Sequence, residues 1–213
     1  MFDLDKKNAL GKADKSRKGD IDEDIEDLVK LINSSADYYT NSSCSGRIVL
    51  QIPFKKRMEE VIFIKHSPVR FSEINKSVKK IPKGTVWLKE EPIILHISCR
   101  TIADAQKMLD IARSIGLKRS GIIGIKKKIV VEIIGSERVE APIARDGKML
   151  ANDIYLKELV KEANKKLKKS KEKIELFYHM CVVIRPERSE SATWSRSFSD
   201  KEVGKKPPQS VTD

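Results

Sequence analysis

What most limits the fold of this chain is where its alternating stretches fall. Polar turn-formers in YYTNSSCSGRIVLQI give way to an alternating strand, and EEVIFIKHS follows across a loop. TVWLKEEPIILHISC supplies further strand, and SGIIGIKKKIVVEIIGSERVEAPI repeats the theme of strand, basic turn and strand. A period of two puts apolar side chains on one face and polar ones on the other. Several of these stretches follow one another across turns instead of being separated one by one by helices. Strands joined by short turns run antiparallel, whereas parallel strands need a long crossover. The pattern predicts an α+β fold around a mainly antiparallel sheet.

Three helical stripes accompany the strands. Ile25, Leu28, Val29 and Ile32 share one face of residues 22–32, and Asp22, Glu23 and Asp24 stand at the end where the helix dipole favours acids. Ile102, Ala105, Leu109 and Ala112 mark a helix over 101–115, closed by Gly116. Leu156, Leu159, Val160, Ala163, Leu167, Ile174 and Phe177 mark a third over 153–178, with lysines on its outer face. KNALGKADKSRKG reads as a polar segment with a short helix ending near Lys18 and Gly19. Pro92 should break the strand that contains it, because proline cannot donate to a central ladder.

Ser45, Gly46, Arg47 and Ile48 align with Ser120, Gly121, Ile122 and Ile123, each group following a helix. This suggests one curved sheet built from two helix-hairpin units, at about 20–100 and 101–150, with the helices packed on it. Residues 1–184 are read as a single domain, and 185–213, rich in Ser, Pro and charge, as a basic flexible tail.

Lys and Arg number 43 against 31 Asp and Glu, a formal charge of +12. Heat-adapted proteins raise both signs together, so an imbalance of this size points to a polyanionic partner, nucleic acid first. Cys44, Cys99 and Cys181 show no metal-ligand spacing and do not cluster in sequence with His66, His96 or His179, so neither a disulfide framework nor a bound metal is expected. MFDLDKKNAL is too charged for a signal peptide and no run of about 18 apolar residues occurs, which leads to the expectation of a soluble, cytoplasmic protein without membrane contact.

Candidate chemistry gathers in a few places. Thr40 to Arg47 offers hydroxyls, backbone N–H groups and a guanidinium, an array that suits carboxylate, phosphate or ribose and equally suits an ordinary helix-to-strand loop. Alternation puts His96 and Ser98 on one face of PIILHISCR, where a half-buried histidine without a chemical role is the commoner case. Ser16, Arg17 and Lys18 beside Gly19 fit backbone phosphates or a solvated helix end. No GxGxxG follows a strand and no GxxxxGK[ST] occurs, so any cofactor needs an architecture other than the standard nucleotide folds.

Six blocks occur in order: SRKG (16–19), the acid-led helix from Asp22, NSSCSGRI (41–48), EPIILHISCR (91–100), AQKMLDIARSIGLKRSGI (105–122) and VEAPIARDGKML (139–150). Together they resemble the tRNA wybutosine-synthesizing protein 3 family, from near the N-terminus to about Phe177. The resemblance implies an enzyme that uses S-adenosyl-L-methionine to methylate N-4 of the 7-aminocarboxypropyl-demethylwyosine base at position 37, in the anticodon loop of tRNA(Phe). It also implies a sheet fold that is not the Rossmann-type methyltransferase fold. Carried over by motif, Ser43, Ser45, Arg47, His96 and Ser120 would line the cofactor pocket, while Ser16, Arg17, Lys18 and Arg100 would hold substrate RNA. Arg47 and Arg100 would bind a carboxylate or an RNA phosphate. His96 or Asp22 would accept the proton that the acceptor nitrogen loses. His66, in FIKHSP, departs from the family pattern around it and is a secondary candidate. The competing reading is a non-catalytic, basic RNA-binding protein.

Overall fold

A strand that meets Pro92 cannot continue its ladder, and the whole architecture turns on that interruption. The computed structural model describes residues 1–11, 21–53, 59–78 and 83–183. In chain order the elements are α1 (Phe2–Leu10), α2 (Glu23–Ser34), β1 (Tyr38–Cys44), β2 (Arg47–Pro53), β3 (Glu59–Lys65), α3 (Phe71–Val78) and β4 (Thr85–Glu91). They continue as β5 (Ile94–Cys99), α4 (Ile102–Ser114), β6 (Gly121–Gly124), β7 (Ile129–Ile134), β8 (Val139–Arg145), β9 (Lys148–Met149) and α5 (Asp153–Val183). The first helix lies earlier than expected, ending before Gly11; the predicted end near Lys18 and Gly19 falls outside the described residues, as does the tail from 185.

The fold is α+β and antiparallel, as the alternation predicts, but the single sheet divides into two. One has the order β1-β5-β7-β6 and the other β3-β2-β4-β8-β9. Three connections carry the chain between them: Ser45 and Gly46 after β1, Pro92 and Ile93 after β4, and residues 135–138 after β7. These crossings touch one another. A Cβ on Gly46, whose φ is +95°, would stand 3.2 Å from the Glu91 carbonyl oxygen, and one on Gly135 would stand 2.8 Å from Pro92 Cβ. The two Ser-Gly segments consequently differ in place. Ser45 and Gly46 pass between sheets, whereas Gly121 opens β6, which forms a hairpin with β7 inside one sheet.

Two apolar cores follow. Leu95, Ile97, Val131 and Ile133 pack under Ile25, Leu28 and Val29 of α2 and Ala105, Leu109 and Ala112 of α4. Ile48, Leu50, Val86 and Leu88 pack with Ile74 and Val78 of α3. Each fully buried side chain of this size contributes about 1.5–3 kcal/mol. At 31 residues α5 is about 46 Å long and serves both cores: Leu156, Val160, Ala163 and Leu167 enter the second, Ile174 and Phe177 the first. Ser170, fully buried, marks the change from one core to the other. The strands that cross and the helix that bridges thus meet at one junction, and several charged side chains collect there.

Candidate functional site

Asp22 occupies the N-cap of α2, where an Asp carboxylate ordinarily accepts from the first turn's own N–H groups. Here it makes no such bond. Oδ2 instead accepts from the Ser45 backbone N–H at 2.9 Å and the Ser45 hydroxyl at 3.1 Å, and Oδ1 lies 3.4 Å from His66 Nε2. Lys171 of α5 donates to Ser45 Oγ and to Asp24 Oδ2, both at 2.6 Å. Asp22 is 8% exposed and Ser45 fully buried, so this network fastens α2, the first crossing and α5 to one another.

Just beyond the crossing, Arg47 Nε donates to Glu91 at 2.6 Å, and on the next strand pair Lys89 meets Glu140 at 2.7 Å. These four side chains border a cavity of about 310 Å³ floored by Pro92, Ile94, Ile134 and Val139, with the exposed Arg138 on its rim. Glu90 forms its back wall. Its side chain has no solvent exposure, Ser170 is its hydrogen-bond partner at 3.4 Å, and burial pushes its carboxyl up to about 8.

On the same face, two residues along β5 from Ile94, His96 is held from both sides. Nδ1 lies 2.7 Å from Ser42 Oγ and Nε2 lies 3.0 Å from Glu132 Oε2. The register that opposes Ser42 and Glu132 to His96 across β1 and β7 makes this possible. The three side chains remain solvent-accessible.

Arg100 lies at the other end of β5. Its guanidinium bonds Asp3 at 2.6 Å, Asp37 at 3.0 Å and the Ala36 carbonyl at 2.8 Å, and stacks 4.6 Å from the Phe2 ring centroid. A second cavity, of about 260 Å³, opens here between α1 and the β6–β7 turn, with Lys126, Lys127 and Lys128 on its edge and Tyr39 in its wall. Six ladder positions separate Cys44 from Tyr38 on β1, so the two ends stand about 20 Å apart.

The residues singled out from sequence therefore divide. Asp22, Ser45, Arg47 and His66 gather at the junction, and His96 lies close by on β5. Ser43 pairs with Leu95 on the ladder and so, by alternation, faces away from Ser42 and His96. Ser120 is 4% exposed and accepts from the Ile134 N–H at 3.1 Å, which anchors the cavity floor from behind. Arg100 belongs to the opposite end, and its anion-binding groups are already engaged by carboxylates; Arg47 is likewise engaged by Glu91. Ser16, Arg17 and Lys18 lie outside the described residues. Glu132, Lys89, Glu91, Glu140 and Lys171 were not legible as partners, since they reach the site through strand register and helix packing.

Distance in sequence also hid a meeting of ligand types. Atoms of Asp22, Cys44 and His66 lie within 4.8 Å of one another, a mixed oxygen, sulfur and nitrogen set of the kind zinc accepts. Burial pushes the Cys44 thiol up, and the Lys171 ammonium lies nearby, bonded to Ser45 and Asp24. Among the described residues no helix is long and apolar enough to cross a membrane.

Comparison with known proteins agrees with this architecture. The profile of the family described as Methyltransferase TYW3 matches residues 3–181. A Thermococcus sibiricus protein described as tRNA(Phe) 7-((3-amino-3-carboxypropyl)-4-demethylwyosine(37)-N(4))-methyltransferase is 39% identical over 178 residues, which cover 81% of this chain and 90% of that one. A Xenopus laevis tRNA wybutosine-synthesizing protein 3 homolog is 35% identical over 184 residues, covering 83% and 72%. The solved structure of PH1069 from Pyrococcus horikoshii superposes with a TM-score of 0.79 at 34% identity, covering 84% of this chain and 95% of that one. With the match spanning nearly every described element, the chain belongs to the Methyltransferase TYW3 family.

Proposed function

We propose that this chain transfers a methyl group from S-adenosyl-L-methionine to N-4 of the 7-(3-amino-3-carboxypropyl)-4-demethylwyosine base at position 37 of tRNA(Phe), in the cytoplasm. The names of its relatives supply the substrate, and one observation in the structure carries the chemistry: an accessible imidazole held between a hydroxyl and a carboxylate beside a cavity with charged walls. The donor, when bound, supplies a sulfonium methyl for in-line displacement, and the residues bordering the junction cavity suit its zwitterionic end. Most of the acceleration then falls to positioning and water exclusion.

His96 handles the proton. With Nε2–H donating to Glu132, Nδ1 is an acceptor for the Ser42 hydroxyl, so the proton lost by the acceptor nitrogen passes to Nδ1 directly or through Ser42 Oγ. Glu132 fixes the ring and stabilises the imidazolium that forms. Asp22 has a different part: its carboxylate, turned inward onto Ser45, sets the first crossing from which Arg47 projects. The basic edge formed by Lys126, Lys127 and Lys128 draws in the phosphates flanking the anticodon loop.

Nucleosides from tRNA(Phe) carrying the demethylated base, incubated with the protein and S-adenosylmethionine, should gain the mass of one methyl on that base. Salt-dependent tRNA affinity without donor binding or mass gain would favour the non-catalytic RNA-binding reading instead.

A further inference from the structure

The cavity at the junction is polar in an unusual way for a protein that handles RNA. Its lining brings three cations, Arg47, Lys89 and Arg138, together with the carboxylates of Glu91 and Glu140, while Glu90 behind them is held protonated at neutral pH by its burial. A phosphate site concentrates positive charge, as the lysine-edged cavity at the other end of β5 does. Alternating, nearly balanced charges serve a ligand that carries both signs itself. The two ion pairs are partly exposed, so each contributes little to folding, and a zwitterion can exchange with either partner while the other still faces it. Between the charges, Pro92, Ile94, Ile134 and Val139 offer an apolar floor for methylene groups.

We infer that this cavity is the binding subsite for a 3-amino-3-carboxypropyl group, with Arg138 and Lys89 taking its carboxylate and Glu140 its ammonium. The inference rests on the methyltransferase reading, because that reaction presents this group twice: on the sulfur of S-adenosylmethionine and as the side arm of the base. Guanidinium holds a carboxylate through two parallel bonds, and a carboxylate accepts well from an ammonium. Ile94 and Ile134 lie two residues from His96 and Glu132 on the same strands, about 7 Å along the sheet. A three-carbon chain anchored in the cavity therefore leaves what it carries beside His96. The same placement gives Arg138 and Glu140 a part in specificity.

Dissociation constants for four ligands separate the sources. S-adenosylhomocysteine is compared with 5′-methylthioadenosine, which lacks the amino-acid end, and tRNA(Phe) bearing the armed base is compared with the same tRNA lacking the arm. Glu140→Gln and Arg138→Ala should weaken the arm-bearing member of one pair by about tenfold or more and leave its armless counterpart within about twofold. Loss confined to the thioether pair assigns the cavity to the donor, and loss confined to the tRNA pair assigns it to the base. Equal losses for armed and armless ligands, or no loss for either, overturn the subsite. Melting curves confirm that each variant is folded, and Arg138→Ala, at the exposed rim, carries the test if Glu140→Gln does not fold. Wild-type protein that methylates while the variants bind all four ligands unchanged removes the subsite alone; wild-type protein that binds no S-adenosylhomocysteine and adds no methyl removes the methyltransferase reading with it.

Discussion

The two ends of β5 hold cavities of similar size and different charge balance. At the Ile94 end, cations and carboxylates alternate along neighbouring strands over an apolar floor. At the Arg100 end, three consecutive lysines line the cavity with Phe2, Tyr39 and Asp5, and Lys128 pairs with Asp5 at 3.5 Å. Under the proposed function, charge balance separates their tasks. Balanced walls orient a small polar ligand at short range, whereas a net positive edge attracts a polyanion from a distance and is weakened by salt. The first end is also the more firmly built, because three sheet crossings, the Asp22–Ser45–Lys171 network and the middle of α5 converge beside it. Chemistry belongs where the geometry is fixed, and attraction where the side chains are long and exposed.

The contrast breaks first at His96. Replacing it by Gln keeps a polar side chain between Ser42 and Glu132 but removes proton acceptance, so single-turnover methylation should fall by about 10²–10³-fold while tRNA affinity and its salt dependence hold. A rate unchanged within a factor of two or three would take the proton-accepting role from His96. Loss of tRNA binding in step with rate would mean that the two ends are not separate in function.

Glu90 tests the balance of the junction cavity from behind. The folded chain keeps its proton up to about pH 8, whereas the unfolded chain releases it near the ordinary value of 4.5. Between those values the folded state binds more protons, so this group's stabilisation is complete below about 4.5 and is lost as pH rises through 8. Glu90→Gln cannot ionise. It should melt several degrees above the parent at pH 8, a difference on the order of 3 kcal/mol, and the gap should close toward pH 5. Equal melting temperatures across that range would mean that Glu90 is ionised in the folded protein, which would tilt the cavity toward negative charge.

Which parts of this could be read from sequence depends on the range over which each signal acts. Alternation in PIILHISC gave His96 its face, and the apolar stripes gave α2, α4 and α5, because both are local periodicities. FSEINKSV carries the same kind of stripe in Phe71, Ile74 and Val78 and forms α3, although at eight residues it is too short to stand out. The division into two sheets left only one local trace, the strand break at Pro92, since a strand alternates identically whichever sheet it joins; Gly46 and Gly135 mark the other crossings only once they are known to touch their neighbours. Partners set by register were equally hidden. Glu132 faces His96 because β7 pairs with β5 at that offset, and Lys171 looks like any other lysine of α5 until packing brings it to Ser45, 126 residues away. Asp22 was legible only in part: it stands at a helix start, as the acid-led pattern says, while the bond its carboxylate makes to a residue 23 positions on left no local signal.

The smallest expected effect lies at the basic end and separates two kinds of cation there. Changing Lys126 and Lys127 together to Ala should lower tRNA affinity severalfold and reduce the slope of log affinity against log salt by about 1.4–1.8, since each phosphate contact contributes roughly 0.7–0.9, while Lys128 is already paired with Asp5 at 3.5 Å. The single-turnover rate at saturating tRNA should stay near the parent value. Arg100→Ala should leave that slope almost unaltered, because its guanidinium is already committed to Asp3, Asp37 and the Ala36 carbonyl and has little left to offer a phosphate. A slope that falls as much for Arg100→Ala as for the lysines would show that RNA displaces those acids on binding. The cavity under α1 would then open onto the phosphates, and the lysine turn would no longer be the main point of attraction.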